Sequence, residues 1–191
     1  MSLGLVIAAS LLTAPASEAR SRTLIEAALA QTKQAVAYDG RYRVIAYPGG
    51  DVPANVGVCT DVVIRAYRAI GIDLQQAVHE DMRQSFAAYP KTWGLTRPDS
   101  NIDHRRVPNL QTYFTRHRAS LAVSRSAVDY APGDLVTWLL PGALPHIGIV
   151  TDRRTADDAR PLIVHNIGRG PELEDMLFSF EISGHYRYPA E

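Results

Sequence analysis

The hydrophobic period of this chain changes once, and that change limits the folds open to it. Before about residue 120 apolar residues recur at helical spacing. From residue 135 onward they come in short runs rich in β-branched residues, divided by turn signals. Helices first and strands after predict an α+β fold, with the N-terminal helices packed on one face of an antiparallel sheet.

In the helical part, Leu24, Ile25, Ala28, Leu29 and Val36 give 23–37 an amphipathic stripe, with Thr23 as its cap. The stretch 43–46 is β-branched, flanked by aromatics, and predicts a strand leading into the loop 47–53. A helix over 60–70 carries Val62, Val63, Ala66 and Ile70 on one stripe and stops at Gly71. Asp73 caps the next helix, which runs through Leu74, Val78, Met82 and Phe86 to Tyr89-Pro90. The polar stretch 93–107 has no period, and a loop of that size inside a compact domain is more often functional than passive. Pro108 opens a short helix through Leu110, Tyr113 and Phe114. Strands are predicted over 135–140, 146–151, 162–166, 178–182 and 185–188, with Pro132-Gly133-Asp134 as a turn before the first.

At 191 residues the chain suits one domain, predicted over 20–191. Its 20 basic and 20 acidic residues balance, so no net field draws it to nucleic acid or anionic lipid. The first nineteen residues differ: LGLVIAASLL is too short to span a bilayer, and small residues follow at Ala14, Ala16, Ser17 and Ala19. Residues 1–19 therefore read as a signal peptide cleaved after Ala19, although no basic residue precedes Arg20. The expectation is a periplasmic or secreted protein with no stable membrane association after cleavage.

Cys59 is the only cysteine, so it can pack, bind metal or act as a nucleophile, but it cannot form an intramolecular disulfide. It heads the 60–70 helix, where unpaired N–H groups and the helix dipole favour a thiolate. His146 begins one predicted strand and His165 ends the next, beside Asn166. Adjacent antiparallel strands can place two such side chains about 5 Å apart at Cβ. A cysteine nucleophile needs a base to hold a thiolate–imidazolium pair, and a third polar group to orient that base. Cys59, His146 and His165 supply these types, with Asn166 as the alternative third member after a one-residue register change. His79, His104, His117 and His185 are read as structural. No close-spaced Cys or His pair is present, so metal ranks below nucleophile, and neither a metal nor another cofactor is expected.

Cysteine at a helix start, then Pro-Gly-Asp-Leu-Val, then His-Ile-Gly-Ile-Val, then a strand ending in histidine resembles the chain order of the NlpC-type cell-wall cysteine peptidases of the papain-like superfamily. More narrowly, GVCTDVVIRAYR, NIDHRRVPNL, PGDLVTW, PHIGIV, HNIG and GHYRY resemble a family of secreted bacterial proteins, domain of unknown function 1287. The first resemblance implies a papain-like core with Cys59 as nucleophile, His146 as general base and later acid, and His165 orienting it. Tyr47, before Gly49-Gly50, would be a wall or oxyanion contributor. The usual Asp-Cys-Ser-Gly is here Val58-Cys59-Thr60-Asp61, which puts an acid, Asp61, two residues after the nucleophile as a candidate substrate-binding residue. Arg105 and Arg106 offer planar forks suited to the carboxylates of peptidoglycan stem peptides; alternatively they pair with Asp61, Asp99 or Asp103 to hold the long loop. The function so implied is a secreted hydrolase cleaving an amide bond, with peptidoglycan peptide as its partner. An acyltransferase using the same residues, or a non-catalytic envelope module that binds cell-wall peptide, are the alternatives.

Overall fold

The computed structural model describes residues 16–190. Helix α1 spans Ala16–Gln31 and buries Leu24, Ile25, Ala28 and Gln31. It starts earlier and ends sooner than its stripe suggested. Thr23 lies inside it, its hydroxyl donating to the Ala19 carbonyl at 3.1 Å, and so is no cap. Residues 1–15 of the expected signal peptide lie outside the described residues; Ala16 to Ala19 form the first turn of α1.

A two-stranded parallel ribbon follows, β1 (Ala37–Tyr38) with β2 (Val56–Gly57). The expected strand at 43–46 is absent. Val44 is exposed, and the Ile45 N–H donates to the Asn101 side chain at 2.9 Å instead of to a neighbouring strand. Its surroundings are held by Gln75, fully buried, whose amide accepts from Gly50 N–H and donates to the carbonyls of Ala46 and Ser100. A side chain at Gly50 would collide with the Ala46 carbonyl, so only glycine lets this loop close.

Helix α2 (Cys59–Ala69) begins where Val58 is still extended, and the Asp61 carboxylate accepts the Val58 N–H at 2.6 Å. It ends on Gly71 at φ +79°, with Gly71 and Ile72 N–H donating back to Arg68 and Tyr67. Helix α3 (Leu74–Ser85) is capped by Asp73, and α4 (Val107–Arg116) carries Pro108 in its first turn.

The sheet comprises β3 (Ser120–Leu121), β4 (Leu135–Leu140), β5 (Leu144–Arg154), β6 (Pro161–His165), β7 (Glu172–Glu174) and β8 (Glu181–Tyr186). Their order is β3-β8-β4-β5-β6-β7, every pairing antiparallel. The two strands expected at 178–182 and 185–188 are one, continued through Gly184, where a Cβ would strike the Tyr186 ring.

Both faces of the sheet are covered. Leu135, Ile147, Ile149, Val164 and Tyr186 pack against the helices. Val136, Trp138, Val150 and Ile163 pack on the other side against Tyr130, Met176 and Leu177, where the Trp138 indole N–H donates to the Leu177 carbonyl at 3.0 Å. Among the described residues no helix is long and apolar enough to cross a membrane.

Candidate active site

Cys59 is the first residue of α2, as its sequence position suggested, and is buried at 4% exposure. Backbone N–H groups of Ile147, Thr60 and Cys59 itself approach its sulfur. The Ile147 contact follows from the sheet. Val150 N–H bonds to Asp134 on the β4 side, so alternation turns the Ile147 N–H toward β6. Pairing with β6 stops at His165 opposite Gly148, leaving that N–H for the thiol.

The expected thiolate is not favoured here. Burial pushes the Cys59 thiol up to about 12, helped by the Asp61 charge, and the three N–H groups only partly offset it. The start of α2 was expected to favour a thiolate; its packing on β5 removes the solvent that a thiolate also needs.

His146 and His165 do meet. His146 Nε2 lies 3.1 Å from His165 Nδ1, with the rings perpendicular. They are not opposite each other, since His165 faces Gly148. The contact is diagonal, and a Cβ on Gly148 would stand 3.1 Å from that of His165. The pleat sends Ile147 into the helix-facing core with Cys59 and turns His146 to the other face, beside Trp138. Thiol and imidazole therefore flank the same strand just past the end of β6. Among the described residues no hydrogen bond joins the sulfur to either imidazole. Burial, then the His165 charge, lowers His146 to about 3. His165 is also lowered by burial, against the pull of Glu174.

Glu174, on β7, was missed by sequence reasoning. Its Oε2 lies 2.9 Å from His165 Nε2. The three-residue Glu172–Glu174 strand is too short and polar to show a period, so no signal marked it. Asn166 does not compete for this place. Its amide nitrogen reaches the Gly57 carbonyl at 3.5 Å and its oxygen accepts from Gly168 and Gly170, which shapes the loop after β6.

The weaker expectations divide. Asp61 and Arg105 form a buried bidentate pair, both contacts at 2.8 Å, with side chains 3% and 2% exposed. Arg105 also donates to the carbonyls of Asp39 and Arg41. Neither residue is open to a solute, so their substrate roles are corrected to a structural one. Arg106 lies over the Trp93 ring at 4.2 Å and 3.7 Å from Asp103. Tyr47 packs edge-on against His79 of α3 and feels the charge of Glu80. A tyrosine electrostatically coupled to Cys59 is Tyr38, paired with Gly57 in the ribbon, its hydroxyl pushed up to about 12 by burial and by the charge of Asp61. Among the described residues no cluster of three His, Cys, Asp or Glu side chains has the arrangement of a metal site.

The family described as "Domain of unknown function (DUF1287)" matches residues 25–188, a span that includes every residue of this site. "Uncharacterized protein YijF" of Escherichia coli (strain K12) is 56% identical over 151 residues, 79% of this chain and 73% of that protein.

Proposed function

The chain belongs to the DUF1287 family, and we propose that it is an exported cysteine hydrolase that cleaves an amide bond in peptidoglycan stem peptides. One observation carries the reading: a buried, hydrogen-bonded imidazole pair, His146 and His165, stands beside the peptide N–H that meets the Cys59 thiol. The chain order shared with NlpC-type peptidases supports the choice of bond and compartment, and a papain-like core is part of the same proposal.

At rest both partners are neutral, the thiol because it is buried and His146 because burial disfavours its cation. The chemistry is then general-base attack, without a standing ion pair. As Sγ adds to the substrate carbonyl, its proton passes to His146 Nδ1, the nitrogen not engaged with His165. The carbonyl electrons move onto oxygen, to which the N–H groups at the head of α2 would donate. His146 returns the proton to the departing amine as the C–N bond breaks, leaving a thioester. Water, deprotonated by His146, attacks that thioester, and the sulfur leaves as a thiol.

The test is incubation with purified muropeptides, read by mass spectrometry, for the wild type, Cys59→Ala and His146→Ala. Shortened stem peptides from the wild type alone are expected; joined peptides would identify acyl transfer. Equal product from Cys59→Ala, or none from the wild type while the peptides bind, overturns the reading. The second outcome is the signature of a non-catalytic module that binds cell-wall peptide, and the burial of Cys59 favours that alternative.

A further inference from the structure

The pair of histidines is the middle of a longer chain. His146 on β5, His165 on β6 and Glu174 on β7 occupy successive diagonals of three neighbouring strands: His165 faces Gly148, two residues from His146, and faces Glu172, two residues from Glu174. Diagonal neighbours on one face lie within reach of long side chains, and both links close, at 3.1 Å and 2.9 Å. The outer end is anchored. Arg169 Nη2 donates to Glu174 Oε1 at 2.9 Å, and Arg169 Nε donates to Glu172 at 3.1 Å. Glu174 is about one-third exposed, on an open cavity it shares with His165, Ile167, Arg169, Met176 and Phe180.

We propose that Glu174 is a positioning residue that fixes the protons of both imidazoles and leaves His146 Nδ1 as the bare, basic nitrogen. The inference rests on the reading of Cys59 and His146 as a reacting pair. A carboxylate can only accept, so the short contact to His165 Nε2 requires the proton on that nitrogen. A neutral imidazole carries one proton, so His165 Nδ1 is then an acceptor. Its contact with His146 Nε2 accordingly needs a proton there, and His146 Nδ1 is left with its lone pair. Without Glu174 the hydrogen bond between the two imidazoles can run in the opposite sense, which would place a proton on the nitrogen that has to take one from the thiol. The same carboxylate stabilises the cation that forms when His146 is protonated. The charged and titratable groups facing His165 are Glu174 and Glu172 from β7, Arg169 from the loop and His146 from β5. Net negative charge on the β7 side therefore favours that cation.

The direct readout is nitrogen-15 NMR of histidine-labelled protein at neutral pH, which needs no activity. In the wild type, His165 and His146 are expected to carry hydrogen on Nε2, with both Nδ1 atoms bare. In Glu174→Gln the side-chain amide can donate, and the tautomers are expected to redistribute. The rate at which a small thiol-directed acylating reagent labels Cys59 should fall roughly ten- to a hundredfold, the scale of loss when the carboxylate partner of a metal-bound histidine is removed, and the limb of its pH profile set by imidazole protonation should move to lower pH. Arg169→Ala, which frees Glu174 without deleting it, should fall between the two. A purely structural glutamate would change thermal stability alone. A bare Nε2 on wild-type His165, or tautomers and labelling unchanged in Glu174→Gln, overturns the proposal. If the tautomers are as described but Cys59→Ala still processes muropeptides, the hydrolase reading fails and the role of Glu174 in ordering the imidazoles stands.

Discussion

Replacing Arg105 by methionine separates a structural arginine from a substrate-binding one. The guanidinium meets the Asp61 carboxylate at 2.8 Å through two nitrogens, with both side chains almost fully buried. Methionine fills part of the volume but strands the Asp61 charge away from water. Removing one member of a buried pair costs about 3–5 kcal/mol. In a domain of this size each kcal/mol lowers Tm by about 2–4 °C, so Arg105→Met should lose roughly 6–20 °C. Asp61 also accepts the Val58 N–H that starts α2, so the loss should reach the helix that carries Cys59. The double variant Asp61→Leu/Arg105→Met removes the stranded charge and should regain most of the loss, less about 1 kcal/mol for the forfeited cap. Thermal and urea unfolding followed by circular dichroism measure all three proteins. A Tm within about 3 °C of wild type for Arg105→Met, combined with weakened peptide binding, would refute the structural assignment and restore Arg105 as a carboxylate ligand.

Other perturbations have equally definite outcomes. Gly148→Ala would put a methyl 2.7 Å from the Ile163 side chain and 3.1 Å from His165 Cβ; it should cost about 1–3 kcal/mol in urea unfolding and lengthen the imidazole contact, whereas a neutral effect would contradict the described register. Trp138→Phe leaves the Leu177 carbonyl without its donor and should cost about 1–3 kcal/mol, with a loss under about 0.5 kcal/mol arguing against this contact. His146 and His104 are both lowered to about 3 by burial, so the native state keeps them neutral while the unfolded chain protonates them near 6.5. Their contribution is present above pH 6.5 and is lost as pH falls toward 3. Asp103, raised to about 6 by burial, acts in the opposite sense, its contribution complete below 3.8 and lost as pH rises through 6. Two histidines outweigh one carboxyl, so Tm should fall steadily from pH 6.5 to 4.5, and a flat or rising Tm would contradict their burial.

The parts of this protein that were legible in its sequence are those governed by local spacing. The stripe of α2, the stop at Gly71, the turn before β4 and the two histidine-bearing strands all follow from residues within a few positions of one another. The meeting of His146 and His165 followed because the two lie near the ends of runs that read as neighbouring antiparallel strands. What was not legible depends on distant partners. Asp61 and Arg105 lie 44 residues apart, and only the docking of the 93–107 loop on α2 shows that they satisfy each other. Glu174 sits on a strand with no period. The state of the Cys59 thiol reversed for the same kind of reason: its place at a helix start is local, but its burial comes from β5.

The proposed reaction passes through a covalent acyl intermediate on Cys59, formed with His146 as base. Intact-mass measurement of the protein, quenched within seconds of mixing with a muropeptide, tests this most directly. A mass gain equal to the acyl portion of the peptide is expected, mapped to Cys59 by digestion, absent in Cys59→Ala and formed far more slowly in His146→Ala. Saturated peptide binding with no adduct, or an adduct that forms equally fast without His146, would contradict it.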